Sequence, residues 1–311
     1  MKLGNDVDRR RLIMTAAASW IAADGAGAQP AAAKPSTYSE SVMGMVFAPD
    51  GSQALSARLA RLVGQGSATI WAGYESTDAA FGVADVGVLA KGAGPTAVTK
   101  DAAVFDQAGT WDSRFERSGR SGAGMTGVAR VRGGLHASAD PPEGEGPLAG
   151  RIEIRFRALH VPVLVREGRM EVFGRGEGRI VLPDREVKFS GYAKWHEQVG
   201  DRPRFAPAFT YVALSGGDVA LLAVTRGASA NGFALENGKT TLVTALEISD
   251  LAAQRRFKAT LADGRTVQGT ARTLRTSSEP IEGQRRPSAT VAAETTLGPM
   301  VGQINDWRPA A

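Results

Sequence analysis

The chain has no cysteine and only three histidines among its 311 residues. The first absence removes disulfides, thiolate nucleophiles, iron–sulfur clusters and cysteine-ligated zinc together. The second argues against a histidine-rich metal site and leaves His136, His160 and His196 as the whole imidazole inventory. Aromatic residues make up 6%, and no basic run interleaved with aromatics accompanies the net charge of +5, so nucleic acid is not an expected partner. The mildly basic balance still suits an acidic ligand or an anionic membrane face. Two motifs are also missing. Gly174-Arg175-Gly176-Glu177-Gly178 lacks the strand–helix setting of a dinucleotide fingerprint and reads as strand or turn. No Gly-x-Ser-x-Gly stands where a strand turns into a helix, as a serine-hydrolase elbow requires.

What is present begins with an address. Arg9, Arg10 and Arg11 precede the apolar run Leu12 to Ala23, and Ala26-Gly27-Ala28 follows. That run is 12 residues long, short of the roughly 20 that span a bilayer. Charge, then apolar run, then small residues is the order of an export signal. Asp8-Arg9-Arg10-Arg11-Leu12-Ile13 is similar to a twin-arginine signal, with aspartate where serine or threonine is usual. Residues 1–28 are therefore expected to direct export to the periplasm, residues 29–37 to form a flexible lead-in, and no transmembrane segment is expected.

From about residue 38 onward, apolar and polar residues alternate with period two. Ile152, Ile154, Phe156 and Ala158 fall on one face of such a run, and Glu153, Arg155 and Arg157 on the other. Val187 and Phe189 alternate with Glu186, Lys188 and Ser190. Turn residues recur at short intervals: Pro49-Asp50-Gly51, Ser215-Gly216-Gly217-Asp218, Asn237-Gly238 and Asp263-Gly264 each separate two apolar runs. Ala54 to Val63 fits both a helix and a strand pattern, and the turn before it favours strand. The fold class read from this is all-β. Ser138 to Gly150, rich in proline and glycine, is the best boundary. It gives one β-domain over 38–150 and another over 151–311, or a single sandwich with a long central loop.

One segment concentrates chemistry: Gly191-Tyr192-Ala193-Lys194-Trp195-His196-Glu197-Gln198-Val199-Gly200-Asp201-Arg202-Pro203-Arg204. Alternation puts Tyr192, Lys194 and His196 on one side and Trp195 and Glu197 on the other. Imidazole exchanges a proton near neutral pH, and a carboxylate beside it fixes its tautomer. A structural histidine hydrogen-bonded across a barrel explains the same composition equally well. His160 has no carboxylate at ligand spacing and His136 has only Asp140, at the edge of a loop, so both read as surface or satisfied-core residues.

The pattern Gly191, His196, Gly200-Asp201-Arg202 resembles the exported lipocalin-like family of carotenoid hydratases (hydroxyneurosporene synthases) and the attachment protein AttH. Gly232-Phe233 before Asn237-Gly238, and Asp263-Gly264-Arg265, are similar to that family's hairpins. In the family a polar residue usually precedes the histidine and an asparagine or glutamine and a tryptophan follow; here Trp195 precedes and Glu197-Gln198 follow. Tocopherol cyclases and pericyclic cyclases of calycin fold are similar more distantly. The resemblance implies two consecutive lipocalin-like antiparallel barrels or half-barrels, a bulky hydrophobic ligand between or inside them, and no cofactor.

Three readings follow. The first is a cofactor-independent hydratase, cyclase or isomerase acting on a bulky unsaturated small molecule. Its catalytic residues would be His196, Glu197 and Asp201. Its substrate would be bound by Tyr192, Trp195, Gln198, Arg202, Arg204, Phe205 and Tyr211. The second is a non-catalytic periplasmic carrier or sensor of lipid-like ligands. The third is a carbohydrate-active sandwich using Glu197 and Asp201 as paired carboxylates.

Overall fold

Alternating sequence becomes strand almost throughout the computed structural model, which describes residues 37–89, 101–109, 111–137, 146–201, 208–226, 229–281 and 284–309. The segment 1–28 and Arg202, Arg204 and Phe205 lie outside the described residues, as does most of Ser138 to Gly150. The described residues all belong to one compact unit, Pro35–Ala311.

The first sheet has eleven strands: β1 (Tyr38–Phe47), β2 (Gln53–Leu62), β3 (Ser67–Ser76), β4 (Ala80–Val88), β5 (Ala103–Gln107), β6 (Asp112–Ser118), β7 (Thr126–Leu135), β8 (Leu148–Ala158), β9 (Val163–Arg166), β10 (Arg169–Val181) and β11 (Glu186–Asp201). Its order is β4-β3-β2-β1-β11-β10-β8-β7-β6-β5, with β9 added beside β10. The sheet curls around one apolar core that takes Val42, Leu59, Ile70, Phe115, Ile154, Phe156 and Trp195 from six of its strands. The isolated bridge Gly82–His136 ties β4 to the end of β7 and helps the sheet close on itself. β8 shows the alternation at its cleanest: Ile152, Ile154, Phe156 and Ala158 are buried, whereas Arg155 and Arg157 are exposed.

The second sheet is a closed barrel of eight strands: β12 (Phe209–Gly216), β13 (Val219–Arg226), β14 (Ser229–Glu236), β15 (Lys239–Ile248), β16 (Gln254–Leu261), β17 (Thr266–Ile281), β18 (Gln284–Thr295) and β19 (Gly298–Pro309). Closure leaves no unpaired edge. Side chains such as Val212, Leu214, Leu221, Val243, Phe257 and Ile304 fill its interior, so it is a packed core and not a ligand cup. All four turn signals fall at the junctions of successive strands, and Asn237 and Gly238 both take positive φ (52° and 75°), as a type I′ hairpin demands. Ala54 to Val63 is almost wholly strand β2.

Leu148 to Gly150, the end of the proline- and glycine-rich stretch, open β8, and β7 and β8 pair with each other within the first sheet. The passage from sheet to barrel falls between Asp201 and Phe209. A third apolar cluster joins the two bodies, with Trp71 and Phe173 from the sheet meeting Phe209, Tyr211, Leu222, Phe233 and Trp307 from the barrel. These residues lie on the faces opposite the two filled interiors. The two bodies therefore meet outer wall to outer wall. Among the described residues no helix is long and apolar enough to cross a membrane.

Candidate functional site

The site is laid out by strand register. Trp71 on β3 lies opposite Arg58 on β2, Arg58 opposite Met43 on β1, Met43 opposite His196 on β11, and His196 opposite Glu171 on β10. Directly opposed residues share a face and interact side by side, so this row crosses five strands on the outer wall of the sheet. The next row along brings Gln198 opposite Arg169. The barrel answers with Phe209 and Tyr211 from β12, Arg286 from β18, and Gln303, Asn305 and Trp307 from β19. Together with Arg166 these line a partly open cavity of ≈ 60 Å³, room for a few water molecules.

Glu171 is the hub. It is fully buried, and its Oε1 accepts from Arg169 Nε at 2.8 Å and from an Arg169 terminal nitrogen at 2.6 Å. Oε1 also meets His196 Nδ1 at 2.9 Å, while Oε2 pairs with Lys194 and accepts from the Tyr211 hydroxyl at 3.5 Å. Burial alone would raise its pKa, but Lys194, His196 and Arg169 overcome that and hold it well below the usual carboxylate range. An ionised carboxylate only accepts hydrogen bonds, so His196 Nδ1 carries the hydrogen and Nε2 keeps the lone pair.

Burial pushes His196 down to about 3, with Arg169 and Lys194 acting in the same direction against the pull of Glu171. The imidazole is therefore neutral at physiological pH. Burial likewise lowers Lys194, and it raises Tyr211 well above its ordinary value, so the phenol keeps its proton. On the barrel side Gln303 donates to Ser288 Oγ (2.7 Å), Ser288 to Asn305 Oδ1 (2.5 Å) and Asn305 to Gln303 Oε1 (3.0 Å), a closed ring that fixes three polar side chains.

The residues singled out in the sequence divide by face. His196, Gln198 and Tyr211 line the cavity. Gln198 accepts from Arg166 at 2.9 Å and Arg169 at 3.4 Å. Tyr192 shares the face of His196 but lies further along, with Arg175 4.7 Å over its ring. Trp195 and Glu197 point the other way, into the core of the first sheet. Trp195 packs on Phe115 and Phe156. Glu197 accepts from Arg117 Nε at 2.7 Å, from a second Arg117 nitrogen at 3.1 Å and from Trp195 Nε1 at 2.9 Å. Asp201 is exposed at the end of β11, 3.5 Å from the Thr37 hydroxyl. Glu197 and Asp201 therefore share no cleft, and neither is the carboxylate that meets His196.

Glu171, Arg58, Arg169, Arg286, Trp71 and Trp307 were not singled out in the sequence. Glu171 shows no local signal, since its partnership with His196 arises only when β10 pairs with β11 in this register. His160 is a satisfied core residue: Nδ1 donates to Val161 O at 2.7 Å and Nε2 accepts from the Phe173 amide at 2.9 Å. Among the described residues no group of three potential metal-ligating side chains comes together.

No family model and no curated protein matches the chain. Solved structures do. CghA shares 12% identity and a TM-score of 0.53, covering 89% of each chain. An AttH candidate from Nitrosomonas europaea shares 13% identity and a TM-score of 0.56, covering 86% of this chain and 91% of its own. Kievitone hydratase from Nectria haematococca shares 9% identity at a TM-score of 0.48. At such identities the likeness is one of fold: the chain is built on the same two-body, lipocalin-like β architecture as CghA and the AttH candidate.

Proposed function

We propose that the chain is a cofactor-independent enzyme that moves a proton on an unsaturated small molecule, as a hydratase, cyclase or isomerase does. The observation that carries this reading is the His196–Glu171 pair at the wall of a partly open cavity. Nε2 of neutral His196 takes a proton from the substrate, Glu171 stabilises the imidazolium, and the same nitrogen returns the proton to another atom. The Tyr211 hydroxyl supplies a donor that stays protonated. Trp71, Trp307 and Phe209 offer flat apolar walls. The restricted volume favours a small substrate, or the reacting end of a larger one, over a bulky molecule held whole. The site and not the likeness of fold supports this reading.

The test is incubation of the purified chain with small unsaturated metabolites in D₂O, followed by mass spectrometry. The wild type should convert a compound with deuterium uptake or a gain or loss of water. Folded His196→Gln should be slower by about 10²–10⁴-fold, the usual worth of a positioned acid–base group. A compound bound and released unchanged by the wild type would make the chain a carrier. We also propose export directed by residues 1–28; Arg9→Lys with Arg10→Lys should leave the protein in the cytoplasm on cell fractionation if the twin-arginine route is used.

A further inference from the structure

The barrel side of the cavity carries neutral hydrogen-bonding groups. Asn305 on β19 stands directly opposite Tyr211 on β12 and, on its other side, Ser288 on β18. Gln303 lies two residues along β19 on the same face. All four side chains are more than nine-tenths buried, and Tyr211, Gln303 and Asn305 line the cavity. The ring that the two amides form with Ser288 holds them in place. A terminal NH₂ carries two hydrogens. Gln303 donates one to Ser288 and Asn305 donates one to Gln303, so among the described residues each keeps a second. The Tyr211 hydroxyl is a third donor, and its contact with Glu171 is long, at 3.5 Å, so a better-placed acceptor can replace it. Buried donors without a full set of acceptors are costly. Three of them fixed on one wall are preorganised for an oxygen that accepts. On the opposite wall, His196 Nε2 offers its lone pair.

An imidazole removes a proton from carbon only where the electron pair left behind is taken up. A carbonyl beside that carbon takes it up as an enolate. We infer that the substrate is a neutral carbonyl compound, its oxygen bound by Asn305, Gln303 and Tyr211 and the carbon next to the carbonyl facing His196. The inference rests on the reading of this cavity as the substrate site and names the class of substrate it takes. The step balances without a co-reactant. His196 Nε2 takes the proton, the C–H electron pair becomes a carbon–carbon double bond, and the carbonyl pair moves onto oxygen. The imidazolium then returns the proton to another carbon, which shifts the double bond. A carbonyl oxygen has two lone pairs and an enolate oxygen three, so three donors fit the intermediate better than the ground state. Arg169 and Lys194 oppose a positive charge on His196, and the enolate that forms in the same step carries the opposite sign.

The test uses the full chain and two probes of one shape, acetophenone and α-methylstyrene, in which a CH₂ replaces the carbonyl oxygen. Calorimetry should show acetophenone bound about tenfold or more tightly than α-methylstyrene, the scale of one to two hydrogen bonds. Asn305→Leu should weaken acetophenone by about tenfold and leave α-methylstyrene largely unaffected, a change of selectivity that a merely structural role would not produce. In D₂O the wild type should exchange the methyl protons of acetophenone for deuterium, read by proton NMR. His196→Gln should slow that exchange by about 10²–10⁴-fold and keep the binding. The inference is overturned if acetophenone does not bind, if α-methylstyrene binds as tightly, or if folded Asn305→Leu keeps the wild-type preference. Should Asn305→Leu fail to fold, the wild-type pair still decides. A ketone preference without exchange or turnover of any compound would sink the catalytic reading alone. Turnover of a compound that has no carbonyl, with no ketone preference, would sink this inference alone.

Discussion

Two buried carboxylates sit on opposite faces of adjoining strands, and their partners give them different work. Glu197 is clamped by Arg117 and Trp195 inside the core of the first sheet. Glu171 faces the cavity and touches His196. Removing one member of a buried ion pair leaves the other charge uncompensated, at about 3–5 kcal/mol. Glu197→Gln should therefore lower unfolding stability by about that amount and leave turnover per folded molecule unchanged. Glu171→Gln should cost a similar amount and also depress turnover, because His196 loses the acceptor that sets its tautomer. Urea unfolding paired with rate measurements on the folded fraction separates the two. A large loss of turnover in folded Glu197→Gln would contradict the assignment of Glu171 as the partner.

At the scale of elements, the site depends on five neighbouring strands keeping one register, and close backbone approach holds part of that register. A Cβ on Gly127 would sit 2.8 Å from the ring of Trp195, and one on Gly191 would sit 1.9 Å from the Phe47 carbonyl oxygen. Trp195 is flanked in sequence by Lys194 and His196, so a ring displaced by overpacking disturbs the site from behind. Gly127→Ala should cost about 1–3 kcal/mol, the usual penalty of overpacking a core. A drop in thermal midpoint with a near-ultraviolet circular dichroism change would show it, and an unchanged midpoint would refute it. The same elements explain what was legible beforehand. Alternation and turn residues mark strands and hairpins because both are local, and the division of Lys194 and His196 from Trp195 and Glu197 follows from the pleat alone. Which face meets a core and which a cavity depends on strands far away in sequence, so Trp195 and Glu197 read as site residues. Ser138 to Gly150 read as a boundary for a similar reason: proline and glycine mark a turn, but not whether the flanking strands share a sheet.

At the scale of the whole molecule, a curled sheet and a closed barrel bury charge where their outer walls meet, and this ties stability to pH. The folded pKa of His196 is depressed to about 3 from an ordinary 6.5. A depressed folded value means that the unfolded chain binds the proton first as pH falls. The contribution is thus full above about pH 6.5 and is lost as pH falls toward about 3. Glu171, also depressed, adds its loss only below the ordinary carboxylate value of 4.5. The window between those two ordinary values therefore belongs mainly to histidine. His160, lowered by burial, acts there in the same direction. Each such group removes up to about 1.4 kcal/mol of stability per pH unit. His196→Gln takes one of the two away and leaves His160 in place. Urea midpoints measured from neutral pH down to pH 4.5 should fall less steeply for His196→Gln than for the wild type. Parallel declines would mean that His196 is protonated in the folded chain, and the neutral imidazole on which the proposed chemistry depends would be lost.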